Sequence, residues 1–205
     1  MTDSSESAAP AKCAACRRPM DSPVCCQACH TLYPVDPSET HFRLFGLPTR
    51  YDIDPAELHR RFLSISRQVH PDFFSGRQPE MQALALRLSA RINEAYETLR
   101  DPVLRAEYLL EISGGKSSAE CKSVPGCLLA DIMMMREDVD RARSAGDHAA
   151  IAAVKADVEA RRAAALDRIA SLSRRLPEER CPALLDELRR EINGMKFLDN
   201  FAAQL

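Results

Sequence analysis

Two apolar stripes of helical period, separated by a proline, set the strongest limit on what this chain can fold into. Leu58, Phe62, Ile65 and Val69 recur at steps of four, three and four, so they share one face of a helix. Asp54-Pro55-Ala56-Glu57 opens that helix with an N-cap, a proline at the first helical position and a reciprocal acid at the third. The stripe stops at His70-Pro71-Asp72, because proline lacks the amide hydrogen and its ring bars continuation. After a loop through Ser75-Gly76, a second stripe carries Met81, Leu84, Leu88, Ile92, Ala95 and Leu99. Two such helices joined by a short loop bury their stripes by packing as an antiparallel hairpin.

The remainder also reads as helix. Asp101-Pro102 caps a shorter segment through Leu110, and the glycine-containing stretch 113–118 breaks it. Three further segments follow: Leu128, Ile132, Met135 and Val139; Val154, Val158, Ala165, Ile169, Leu172 and Leu176; and Leu184, Leu188, Ile192 and Met195, with Asn193-Gly194 as a candidate bend. Each is amphipathic and needs the others to cover its apolar face. The scarcity of glycine, the lack of tryptophan and a second half dominated by Ala, Leu, Glu and Arg agree with helices. The expected fold is all-α: a helical hairpin, a C-terminal three-helix bundle and a small N-terminal tetracysteine metal-binding knuckle.

Five of the eight cysteines fall between Cys13 and Cys29. Cys13-x2-Cys16 and Cys26-x2-Cys29 are two knuckles nine residues apart, each able to present two sulfurs to one ion. The ligand set expected is Cys13, Cys16, Cys26 and Cys29, with zinc the first choice and iron the second. Cys25 would sit out of register; His30 is next in line as a substitute ligand but reads as a surface residue. The alternative is a cysteine-rich tail that binds nothing, but so short a segment has little else with which to fold. Four protein ligands leave no open position, so the site would be structural. Cys121, Cys127 and Cys181 are scattered and read as small buried or partly buried residues.

The charge count, 28 basic against 30 acidic residues, gives a formal net charge of −2 and no general pull toward nucleic acid or anionic membrane. No apolar run reaches the ~18 residues of a spanning helix. The first residues lack the basic start and apolar stretch of a secretory signal and the Arg-rich character of a transit peptide, so the cytoplasm is expected. A mitochondrial matrix location is the alternative if the natural N-terminus is longer. Catalysis is not expected: no nucleophile, phosphate loop or open metal site accompanies His70 and Asp72.

The hairpin resembles the J-domain family. The resemblance is carried by Phe42-Arg43-Leu44-Phe45-Gly46-Leu47, by Leu58 to Val69, by the loop His70-Pro71-Asp72, and by Ile92-Asn93-Glu94-Ala95-Tyr96-Glu97-Thr98-Leu99. It implies that His70, Pro71 and Asp72 act on the ATPase domain of a DnaK-type chaperone, with Arg60, Arg61 and Arg67 steering the encounter. Phe73 stands where many J-domains carry a lysine.

Residues 40–205 resemble the HscB family of iron-sulfur co-chaperones. The telling runs are Arg105-Ala106-Glu107-Tyr108-Leu109-Leu110 and Lys196-Phe197-Leu198-Asp199, and the double Cys-x2-Cys resembles the zinc-bearing version. On that resemblance the chain divides into a tetracysteine segment (1–39), a J-domain (40–112), a linker (113–126) and a scaffold-binding bundle (127–205). The partners implied are a DnaK/HscA-type chaperone and an IscU-type scaffold, the latter held by Leu129, Met133, Glu137 and Phe197. Leu129 and Met133 lie about 100° around the helix from the core stripe, and Phe197, Phe201 and Leu205 form a second offset stripe. Met134 and Arg141 stand where the family pattern favours acids. Two rival readings remain: a J-domain protein with a different client, and a zinc-ribbon nucleic-acid binder. The second expects clustered basic and aromatic residues, whereas the knuckle offers only Lys12, Arg17 and Arg18.

Overall fold

A computed structural model describes residues 12–205; the first eleven, on which the reading of targeting signals rested and with which the 1–39 segment begins, lie outside the described residues. The described chain is helical: α1 (His41–Leu44), α2 (Pro55–Gln68), a 3-10 turn (Pro71–Phe74), α3 (Pro79–Arg100), α4 (Pro102–Ile112), α5 (Leu128–Ala145), α6 (His148–Arg175) and α7 (Pro182–Ala202). Among the described residues, extended pairing is limited to two isolated bridges, Lys12 with Pro19 and Cys25 with Leu32. The chain forms two compact units, up to Asp101 and from Pro102 onward.

In the first unit, α2 and α3 pair as the expected hairpin, with α1 against α3. Asp54 accepts a 2.9 Å hydrogen bond from the Ala56 amide and so caps α2. Glu57, expected to reach back to the cap, instead pairs with Arg60 and Arg61, two guanidiniums within one turn of it. Leu58, Ile65 and Val69 are buried opposite Leu88, Ile92, Ala95 and Leu99. Phe62 is only half-buried and stacks on Tyr96 at 4.0 Å between ring centroids. Met81, which by spacing belongs to the same stripe, is exposed in the first turn of α3.

The unit boundary differs from the sequence division. α4, assigned by sequence to the J-domain, packs against α6 and α7, making the second unit a four-helix assembly. Its periodicity advertised an apolar face without naming the surface that covers it. The 113–126 stretch is tethered to α7: Asn193 Nδ2 donates to the Cys121 and Ser123 carbonyls, and Arg189 Nε donates to the Lys116 carbonyl at 2.8 Å. Asn193-Gly194 therefore does not interrupt α7, which runs from Pro182 to Ala202. Gly194 is buried, and a Cβ there would lie 2.9 Å from Pro125 Cδ and 3.1 Å from Leu128 Cδ2.

An ion-pair cluster joins α4 to α7. Arg189, whose side chain is 2% exposed, and Lys196 both reach the Glu107 carboxylate, with contacts of 2.7 Å. Burial alone would raise the Glu107 pKa, but the hydrogen bonds and charges of Lys196 and Arg189 outweigh it and hold the carboxyl below its ordinary value. Arg162 similarly pairs with Asp199 at 2.7 Å. Members of the two telling runs, Glu107 and Lys196, thus meet directly.

Candidate functional site

The cysteine knuckles repeat one backbone design. The Cys13 carbonyl accepts from the Arg17 amide at 2.7 Å, and the Cys26 carbonyl accepts from the His30 amide at 2.8 Å. Cys13 N–H donates to the Arg18 carbonyl and Cys26 N–H to the Thr31 carbonyl, closing each turn. Arg17 and His30, four residues after the first cysteine of each knuckle, take φ values of +61° and +58°. That left-handed step, uncommon for residues with a Cβ, immediately follows the second cysteine of each knuckle.

The Sγ atoms of Cys13, Cys16, Cys26 and Cys29 all lie within 4.8 Å of one another. Tetrahedral ligation at a metal–sulfur distance of about 2.3 Å requires sulfurs about 3.8 Å apart, and the Cys13–Cys29 and Cys16–Cys26 pairs stand at 3.5 and 3.6 Å. The donor set therefore fits one ion. The Tyr33 hydroxyl, 3.0 Å from Cys13 Sγ, is the main influence lowering that thiol to about 6. Cys29 is also lowered, chiefly by its contact with Thr31. Although the Arg18 amide favours its thiolate, Cys16 is pushed up to about 12 by burial and by its neighbouring thiols. Cys13 is thus the readily ionised sulfur, and Cys16 is one that a cation would have to deprotonate.

Cys25 is not part of the cluster. It is buried and donates from Sγ to Gln68 Oε1 of α2 at 3.3 Å, with its thiol raised to about 12 by burial. Together with Ser22 Oγ, which donates to the Leu44 carbonyl at 2.7 Å, it seats the knuckle on α2 and the end of α1. Arg91 of α3 reaches the Val35, Pro37 and Glu39 carbonyls, so the connecting segment is also held. His30 is exposed and outside the ligand set. Of the scattered cysteines, Cys121 and Cys181 are half-buried, whereas Cys127 is exposed at the start of α5, contrary to expectation. Tyr33 gave no sequence signal beyond its position two residues past Thr31.

His70, Pro71 and Asp72 sit at the tip of the hairpin. His70 Nδ1 accepts from the Asp72 amide at 3.3 Å, which in the neutral ring leaves the proton on Nε2. Ser75 Oγ donates to the Asp72 carbonyl at 2.7 Å and braces the turn, while the carboxylate of Asp72 stays largely exposed. A donor and an acceptor are thereby presented on a proline-stiffened turn. The three arginines expected to steer docking are not equivalent. Arg60 and Arg67 are exposed, but Arg61 is half-buried and donates to the Phe45 and Gly46 carbonyls at 2.8 and 3.0 Å, fixing the end of α1.

In the second unit, Leu129, Met133, Met134 and Glu137 are exposed on α5, and Phe197 is 43% exposed on α7. Phe201 departs from the expected surface stripe. It is 2% exposed and belongs to the core, with the Arg136 guanidinium 5.7 Å from its ring centroid. Leu205 is half-buried. Arg141 pairs with Asp138 at 3.1 Å on the surface.

A helical hairpin ending in an exposed His-Pro-Asp turn, followed by an α-helical unit and preceded by a four-thiol knuckle, defines a J-domain protein of all-helical build. Residues 125–205 match the family described as the HscB C-terminal oligomerisation domain. The chain is 39% identical over 151 residues to a co-chaperone protein HscB homolog of Bordetella petrii, covering 73% of this chain and 81% of that one. A Bordetella pertussis homolog is 38% identical over 123 residues, or 60% of this chain and 71% of the relative. Chaperone HscB from Vibrio cholerae superposes with a TM-score of 0.67 at 28% identity, covering 81% of this chain and 94% of that chain. Human co-chaperone protein HscB, at 24% identity, shares the fold with a TM-score of 0.75 over 95% and 96% of the two chains. The chain belongs to the HscB family of co-chaperones. No helix among the described residues is long and apolar enough to cross a membrane.

Proposed function

We propose that this protein stimulates the ATPase of a DnaK/HscA-type chaperone and delivers an IscU-type iron-sulfur scaffold to it for cluster transfer. The observation that carries the reading is the exposed His70-Pro71-Asp72 turn at the hairpin tip of an HscB-family chain. In this reading His70 and Asp72 supply the polar contacts, Pro71 fixes their spacing, and Arg60 and Arg67 steer an acidic surface of the chaperone. Arg61 acts by holding α1 against α2 while adding to the positive field. Leu129, Met133 and Phe197 are the apolar anchors for the scaffold, with Glu137 at their edge. Methionine suits an adaptable contact surface, and Met133 is 65% exposed. Cys13, Cys16, Cys26 and Cys29 hold a structural zinc ion.

Calorimetry with the scaffold of the same organism tests the reading. The wild type is expected to bind. A folded Leu129→Ala/Met133→Ala/Phe197→Ala variant is expected to lose roughly thirty-fold or more in affinity, the scale of an interface anchor. A wild type that stimulates the chaperone yet fails to bind the scaffold would sink the scaffold assignment and leave a J-domain protein with another client.

A further inference from the structure

A groove of about 620 Å³ separates the second cysteine knuckle from the hairpin tip. His30 and Leu32 line it from the knuckle; Arg67, Phe73, Arg77 and Met81 line it from the hairpin. Its lining is mainly apolar and holds two arginines and no carboxylate, with Cys29 of the knuckle at its edge. Phe73 is 69% exposed, an unusual state for so large an apolar ring, and Met81 is exposed beside it. The groove opens directly onto the effector turn: Phe73 follows Asp72, and the His70 and Phe73 rings meet edge-on with centroids 6.4 Å apart. A surface that covers His70 and Asp72 must also cover Phe73.

We propose that the knuckle forms part of the chaperone-recognition surface, and that this groove receives an apolar segment of the ATPase chaperone flanked by carboxylates. The inference rests on the reading that His70-Pro71-Asp72 docks on that chaperone. Apolar side chains would fill the space between Leu32, Phe73 and Met81, while Arg67 and Arg77 pair with the flanking acids. The hairpin alone supplies one wall. The other exists because Cys25 and Ser22 seat the knuckle on α2 and on the end of α1. Gln68, which accepts from Cys25, lines the same groove, so the seat and the recognition surface are one construction. The phenylalanine in the place of the usual J-domain lysine then has a use as the ring at the mouth of the groove.

The full-length protein is titrated into the chaperone ATPase assay as wild type, His70→Gln, Phe73→Ala, His30→Asp and Arg87→Glu. Phe73 and His30 are exposed, and aspartate accepts the left-handed backbone at residue 30, so both groove variants are compatible with folding. Arg87→Glu is an exposed charge reversal on α3 outside the groove. Phe73→Ala and His30→Asp are each expected to raise the half-stimulating concentration about tenfold with the plateau retained. Arg87→Glu is expected to behave as wild type and His70→Gln to abolish stimulation. Groove variants that titrate as wild type while His70→Gln is inactive would overturn the groove proposal alone. An active His70→Gln would overturn both this proposal and the docking reading beneath it. Self-association abolished by Phe73→Ala, with stimulation unchanged, would assign the groove to a second copy and overturn the chaperone as its occupant.

Discussion

Within residues 12–33, the knuckle's own buried cluster is Cys13, Met20 and Cys26, with Cys16 and Tyr33 packed against it. In α4 to α7, by contrast, Leu109, Leu110, Ile132, Val139, Val158, Ile169, Leu172, Leu184, Leu188, Ile192, Leu198 and Phe201 are all buried. Apolar burial, at about 1.5–3 kcal/mol per buried aliphatic or aromatic side chain, is thus concentrated in the helical unit. The knuckle has too few such side chains, and it carries two left-handed non-glycine residues besides. Besides its seating through Ser22 and Cys25, it has four sulfurs converging on one centre. The two regions therefore respond to different insults: the first to competition for its ligands, the second to cavities, lost ion pairs and acid.

The sharpest separation comes from the thiols. A structural tetrathiolate ion contributes about 10–16 kcal/mol of binding free energy, so chelation or Cys13→Ser is expected to make the knuckle cysteines fully reactive in a thiol titration. Far-UV circular dichroism is expected to show the helices largely retained. Retained thiol protection after chelation would break the comparison.

A smaller effect is expected at Glu107→Ala, which leaves the buried Arg189 without its counter-charge and costs about 3–5 kcal/mol in denaturant unfolding. Because the folded-state pKa of Glu107 is depressed, its contribution is present above the ordinary glutamate value and disappears as pH falls through the folded-state value. The variant should lack that part of the acid sensitivity seen in the wild type. Gly194→Ala is expected to cost about 1–3 kcal/mol through overpacking against Pro125 and Leu128, read as a lower midpoint of thermal unfolding. The smallest effects concern left-handed backbone. Gly146, with φ of +68° after α5, should lose about 1 kcal/mol when changed to alanine, whereas Arg17→Gly should stabilise the knuckle or leave it unchanged. Parallel urea titrations read both signs.

The hairpin was legible because its two stripes have a clear period and Pro71 supplies an unambiguous break. The convergence of the four cysteines was legible because Cys-x2-Cys spacing is itself geometry. Helix periodicity identified apolar faces but could not tell which partner covers each one, so α4 was joined to the hairpin and Phe201 was placed on the surface. Arg61 looked like its neighbours because a charged residue on a helix carries no mark of acceptors fifteen and sixteen residues away; the Gly46 and Phe45 carbonyls supply that mark only once α1 is folded. The anchoring of 113–126 by Asn193 and Arg189 was hidden for the same reason. It uses backbone carbonyls, which every residue possesses and no sequence pattern distinguishes.

The burial of Asn193 beside Gly194 has a chemical consequence. Asparagine followed by glycine is the dipeptide most open to succinimide formation, in which the next amide nitrogen attacks the side-chain carbonyl and expels ammonia. Here the side-chain amide is held by the Cys121 and Ser123 carbonyls, and the backbone is locked in helix. The attacking and accepting atoms meet only when this part of α7 opens. Residue 193 is thus a clock that is stopped while the helix is intact, and any aspartate and isoaspartate formed there in storage would record how often that helix has been undone.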